Sequence, residues 1–184
     1  TDAETAATPL ALMKQAVHGD ANALSQLPDT MSLFLGNNPG CIGEISALAL
    51  LIGLVYMLWK KIISWHIPVF YIATVFIATV IINAIGGDSF HRVPVYELLC
   101  GGLMLGAFFM ATDYTTTPMT DKGKIIFAIG CGFLAAIIRI KGGYPEGVSY
   151  SILIMNLFVP LIDRFCRQKT FGYVKPVKKK GEVK

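Results

Sequence analysis

From Ile42 onward the chain alternates between long apolar blocks and short loops carrying Gly, Pro and charge. The first block runs from about Ile42 to Trp59 ("IGEISALALLIGLVYMLW"), the second from about Ile67 to Ile85 ("IPVFYIATVFIATVIINAI") and the third from about Val93 to Ala111 ("VPVYELLCGGLMLGAFFMA"). The fourth is about Ile125 to Ile140 ("IIFAIGCGFLAAIIRI") and the fifth about Val148 to Ile162 ("VSYSILIMNLFVPLI"). A membrane-spanning helix needs ~20 apolar residues, with about 17 tolerated, so the first three blocks reach span length and the last two fall short. The pattern predicts an all-α polytopic membrane protein with five transmembrane helices. It divides the chain into an extracytoplasmic segment (1–41), a membrane domain (42–165) and a basic cytoplasmic tail (166–184).

Composition agrees with that layout. Of the 184 residues 54% are hydrophobic and only 15% charged, with a mean hydropathy of +0.58. Soluble domains carry about 25% charged residues, and a chain this apolar could not cover a water-facing surface. Residues 1–10 have neither the basic nor the apolar region of a signal peptide, and the start without Met points to a longer native chain. The four cysteines, Cys41, Cys100, Cys131 and Cys166, are widely spaced, which argues against a zinc site or an iron–sulfur cluster held by this chain alone. Cys100 and Cys131 fall inside apolar blocks and read as packing residues.

Charge sets the orientation. With five spans, the side that holds the C-terminus carries Lys60, Lys61, Lys122, Lys124 and eight cations from Arg164 onward. The opposite side has Lys14, Arg92, Arg139 and Lys141. Excess Lys and Arg mark the cytoplasmic side, which places residues 1–41 outside. The tail "VKPVKKKGEVK" reads as a topology signal on anionic lipid rather than as a nucleic-acid patch.

Several residues carry possible chemistry. Gly102 and Gly106 form a G-x-x-x-G pair, read as close helix packing. The short fourth and fifth blocks contain Gly130, Gly132 and Pro160 and flank "KGGYPEG", the pattern of discontinuous helices around a midplane site. The acids near the membrane are Glu44, Asp88, Glu97, Asp113, Glu146 and Asp163, mostly close to block ends where water satisfies them. Asp113 and Glu146 border the Gly-rich blocks and are the candidates for an ion path. His18, His66 and His91 are scattered, and no hydrolytic motif or P-loop is present.

The opening "TDAETAATPL" reads first as a cap: Thr8 before Pro9 fits an N-cap followed by Pro at the first helical position. "PLALMKQAVHG" then forms a short helix stopped at Gly19. A helix N-terminus also holds phosphate well, so a phosphate ester on Thr8 would sit in favourable electrostatics.

"DAETAATP" resembles the Asp-x-x-Ser/Thr-Gly-Ala-Thr pattern at which a flavin transferase attaches FMN through its phosphate. "GEISALALLIG", "WHIPVFY", "GGLMLGAFFMATDYTTTP" and "GGYPEGVSYSILIMNLFVPLIDR" resemble the C-terminal half of the D-subunit family of Rnf electron-transport complexes. That family is similar in turn to the B subunit of the sodium-pumping NADH:quinone reductase. The resemblance implies covalent FMN on Thr8, with Asp2, Thr5 and Ala7 recognised by the transferase; Ala6 stands where Gly is usual, and Thr5 where Ser is common. It implies a missing N-terminal half, the five helices being one inverted half of a fold similar to urea and ammonium transporters. It also implies a bacterial or archaeal cytoplasmic membrane and partners that include a second FMN-bearing subunit and iron–sulfur subunits. The similar reductase subunit holds a non-covalent riboflavin as well, for which no motif marks residues here.

The resulting expectation is a membrane subunit that relays electrons between ferredoxin and NAD+ by way of covalent FMN and couples this to Na+ or H+ movement. It is not catalytic alone. A cofactor-free solute or cation transporter half is the alternative, and a passive membrane anchor a third reading; neither accounts for the flavin-transfer pattern.

Overall fold

A computed structural model describes residues 9–17, 27–36, 45–86, 94–142 and 146–166. Among these residues every regular element is helical. Two short helices come first, α1 (Pro9–Val17) and α2 (Thr30–Leu35), followed by α3 (Ala47–Trp59) and α4 (His66–Gly86). The third apolar block is split into α5 (Pro94–Leu99) and α6 (Leu103–Leu105), which runs on as a π-helical turn (Gly106–Met110). The last two blocks form α7 (Asp121–Lys141) and α8 (Val148–Phe165).

Three of these are long and apolar enough to cross a membrane: His66–Ile85, Asp121–Lys141 and Val148–Phe165. The fourth and fifth blocks, expected to be short and broken, are thus full-length helices. Each continues past its apolar run into polar ends. Thr120 caps α7 by accepting the Gly123 N–H at 3.0 Å, while Asp121 in the first turn and Arg139 and Lys141 in the last complement its dipole. Pro160 lies inside α8 without ending it. The first block gives α3, a 13-residue apolar helix capped by Ser46, whose hydroxyl accepts the Ala49 N–H at 3.3 Å. The discontinuity is in the third block.

The glycines of α7 bring neighbours close instead of breaking the helix. Gly132 lies against Thr74 and the Tyr71 carbonyl, and Gly130 against Met155. These contacts, with Thr79 beside Ala136 and Arg139, show α4 and α7 running side by side in the same direction. Helix α8 runs antiparallel to α7, with Gly147 against Ile138 at one end and Gly123 against Ile162 at the other. Ile67, Tyr71, Val75, Phe108, Phe127 and Ile152 lie in the core between them. Tyr71 and Ser151 share a buried 2.9 Å hydrogen bond that ties α4 to α8. Outward positions such as Ile77, Ile81, Phe133, Leu153 and Leu157 are exposed and apolar, as a lipid-facing surface requires.

The bundle has two ends. At one, the Met119 N–H donates to Asp163 at 3.1 Å, so the 111–120 loop, the start of α7 and the end of α8 lie together. The parallel course of α4 brings Trp65 to this end too. At the other end are the last turn of α7, Glu146, the break between α5 and α6, and α1.

Candidate functional site

The break in the third block is where charge meets backbone inside the bundle. Leu99 ends α5, and the chain passes Cys100, Gly101 and Gly102 before α6 begins. Gly101 has φ 72°, which an L side chain resists. A Cβ there would also lie 2.7 Å from a Glu146 carboxylate oxygen and 3.3 Å from Arg139 Nη2.

Arg139 approaches from α7, two residues before its end. Its Nη1 donates to the Glu97 carbonyl at 2.6 Å and to Glu97 Oε2 at 3.0 Å. Its Nη2 makes a longer bond, 3.4 Å, to the Cys100 carbonyl. The side chains of the pair are 1% and 3% exposed, so both charges are withdrawn from solvent. The guanidinium thus meets carbonyls at the C-terminal end of α5, where the helix dipole is negative. Across the break the Gly102 N–H donates to Glu146 Oε1 at 3.1 Å, placing a carboxylate at the start of the second half. The two facing helix ends are capped by opposite charges carried on α7 and on the loop before α8.

A narrow crevice adjoins the pair, lined by Val75, Thr79, Glu97, Ala136, Arg139 and Ile140, and it has no room for a water molecule. Helix α1 covers the break from outside. Leu10 is buried with Leu33 and Cys100, and Lys14 Nζ donates to the Gly142 carbonyl. Tyr96 adds a 3.0 Å bond from its hydroxyl to the Pro28 carbonyl, tying α5 to the segment before α2.

Of the expected site residues, Asp2, Thr5, Ala7 and Thr8 lie outside the described residues. The helix expected after Thr8 is present from Pro9, as read from the sequence; Gly19 lies outside the described residues. Glu146 and Asp113 are not brought together. Asp113 is exposed at the opposite end, where the Thr115 hydroxyl donates to its carboxylate at 2.7 Å and Thr116 at 3.3 Å. The Thr115 hydroxyl, foremost, holds its carboxyl below the usual carboxylate range.

Glu97, set aside in the sequence as an acid near water, is the buried one, and Arg139, counted as a loop cation, is its partner. Nothing in their spacing of 42 residues reveals the pair. The available signal was a carboxylate within an apolar block and a cation within another, in a solvent where neither charge lasts unpaired. Of the two GxxxG glycines, Gly106 shows the expected close packing, against Val148, whereas the backbone of Gly102 serves the Glu146 contact. Cys100 and Cys131 are buried, as packing residues should be. Among the described residues no group of three His, Cys, Asp or Glu side chains could hold a metal.

The model of the NQR2, RnfD, RnfE family matches residues 1–172. The D subunit of a sodium-translocating ferredoxin:NAD+ oxidoreductase complex from Acetobacterium woodii is 51% identical over all of this chain and 54% of that protein. Its proton-translocating counterpart from Clostridium ljungdahlii is 48% identical over 93% of this chain and 52% of its own length. The D subunit of an ion-translocating oxidoreductase complex from Stutzerimonas stutzeri is 41% identical over 84% of this chain and 44% of its own. The chain spans about half the length of the curated relatives it matches. By the match along nearly its whole length, the chain belongs to the NQR2, RnfD, RnfE family.

Proposed function

We propose that this chain is part of a membrane subunit of an ion-translocating ferredoxin:NAD+ oxidoreductase complex, carrying FMN as a phosphoester on Thr8. The observation that carries the reading is the flavin-transfer pattern "DAETAATP" standing at the head of a chain 51% identical to the D subunit of such a complex. When bound, the flavin supplies one- and two-electron transfer.

The described residues fit such a group as an anchor. Helix α1 begins at the residue after Thr8, Pro9 and Leu10 are buried, and Leu10 and Lys14 hold the helix against the bundle end. Asp2, Thr5 and Ala7 belong to recognition by a flavin transferase during maturation, and a non-covalent riboflavin stays without assigned residues. In the same reading the helices form one inverted half of a fold like that of urea and ammonium transporters. The other members of the complex, a second FMN-bearing subunit and iron–sulfur subunits among them, are its partners. Residues 1–41 face outward from the cytoplasmic membrane.

A denaturing gel under ultraviolet light tests the attachment. The full-length protein, expressed with a flavin transferase, gives a fluorescent band that Thr8→Ala abolishes; a dark wild-type band would leave the cofactor-free transporter reading in its place. Asp113 and Glu146 are the proposed ion-path residues, one at each end of the bundle. Asp113→Asn and Glu146→Gln shift the cation dependence of turnover; an unchanged dependence removes them from the path.

A further inference from the structure

We propose that Arg139 is a tethered cation occupying what would otherwise be a site for a small monovalent cation, and that it keeps the helix break closed to mobile ions. The guanidinium meets the Glu97 carbonyl, the Glu97 carboxylate and the Cys100 carbonyl, and the same crevice is lined by Thr79, whose hydroxyl donates to the Val75 carbonyl and keeps its lone pairs for accepting. Backbone carbonyls at a half-helix end, a carboxylate and a hydroxyl are the oxygen donors that hard cations take. Here a side chain fixed to α7 supplies the positive charge, so the donors are committed without an ion.

Three further observations support a plug. The pair is withdrawn from solvent, with side chains 1% and 3% exposed. The adjoining crevice admits no water, so a hydrated ion does not fit beside the guanidinium. Leu10 of α1 lies against Gly101, and Glu146 holds the Gly102 N–H at the exposed mouth of the break. A mobile cation arriving at Glu146 therefore meets a fixed like charge and does not pass on into the Arg139 cage. The inference stands on the Arg139 geometry and is independent of the flavin on Thr8.

The test uses the full-length protein in its membrane complex, reconstituted in liposomes, with passive 22Na+ uptake measured in the absence of electron donor. The wild type is tight. Arg139→Ala opens the oxygen cage and raises passive uptake roughly tenfold or more, since the repulsion of a unit charge a few ångström away is removed. Arg139→Lys retains the charge and stays near the wild-type rate. Arg139→Ala combined with Glu97→Gln loses the carboxylate that attracts the ion and falls back toward it. Should Arg139→Ala fail to assemble, Arg139→Gln, which can still donate to the Glu97 carbonyl, is put through the same comparison. An assembled Arg139 variant as tight as wild type overturns the proposal. So does a double variant that leaks as fast as the single one, because the leak would then be a packing defect indifferent to the carboxylate. Flavin fluorescence on the gel reads the Thr8 attachment separately, so failure of one does not count against the other.

Discussion

At Arg139 and Glu97 the energetics are set by desolvation. Two charges taken out of water recover the cost through close contact and through hydrogen bonds to fixed carbonyls, and a 3.0 Å contact with a second bond at 2.6 Å supplies both. Such a pair contributes little net stability, but losing one member leaves an uncompensated charge. Arg139→Met or Glu97→Leu alone is therefore expected to destabilise the protein by about 3–5 kcal/mol, while the double substitution recovers much of that loss. Thermal unfolding in detergent measures the cycle; additive single and double effects would show that the two side chains do not interact. Sequence reading failed at this scale for a definite reason. Glu97 and Arg139 each lie near the end of an apolar block, where an interfacial charge is cheap, and only the packing of α5 on α4 and α7 takes them out of water. Asp113, by contrast, stays exposed at the opposite end of the bundle, where the Thr115 and Thr116 hydroxyls donate to its carboxylate.

At the scale of the element, helix ends decide more than helix interiors. The C-terminus of α3 turns through Lys61 at φ 55°, with the Lys60 N–H donating to the Tyr56 carbonyl and the Ile62 N–H to the Met57 carbonyl. A left-handed residue in that position is ordinarily glycine, and a lysine there carries strain of about 1–2 kcal/mol. Lys61→Gly is expected to raise the midpoint of thermal unfolding, corresponding to about 1 kcal/mol after the added flexibility of the unfolded chain is counted. No rise, or a fall, would mean the turn relaxes around lysine without cost. The interiors were legible in part: apolar blocks two, four and five do become helices α4, α7 and α8. Where Gly and Pro would interrupt them was not legible. Gly130 and Gly132 pass through a continuous helix because each faces a close neighbour, whereas Gly101 takes a positive φ because Arg139 and Glu146 satisfy the backbone that it frees. In the sequence the two kinds of glycine look the same.

At the scale of the molecule, the two ends of the bundle differ in chemistry. Trp59, Trp65 and Tyr114 are exposed on the same end as Lys60, Lys61 and Lys122; aromatic belts line both membrane interfaces, and the Lys excess is what makes this end the expected cytoplasmic one. Helix α1 and Glu146 lie at the opposite end. Cysteines introduced as Tyr114→Cys and Gln15→Cys, both at exposed positions, are thus expected to react with a membrane-impermeant maleimide from opposite sides. In intact cells Gln15→Cys labels and Tyr114→Cys does not, and in inverted vesicles the pattern reverses. Labelling of both from one side would refute the orientation.

Hydrophobic periods and charge counts act locally and additively, so the sequence by itself determined a helical membrane protein, its apolar blocks and the helix that begins at Pro9. A motif is also local, which is why "DAETAATP" could be read without coordinates. The break at Gly101, the Arg139–Glu97 pair and the capping of Gly102 by Glu146 depend on residues 39 to 44 positions apart. Which of several glycines becomes a break, and which of several acids is buried, is decided by the surface each meets after the helices pack. That information belongs to the tertiary structure.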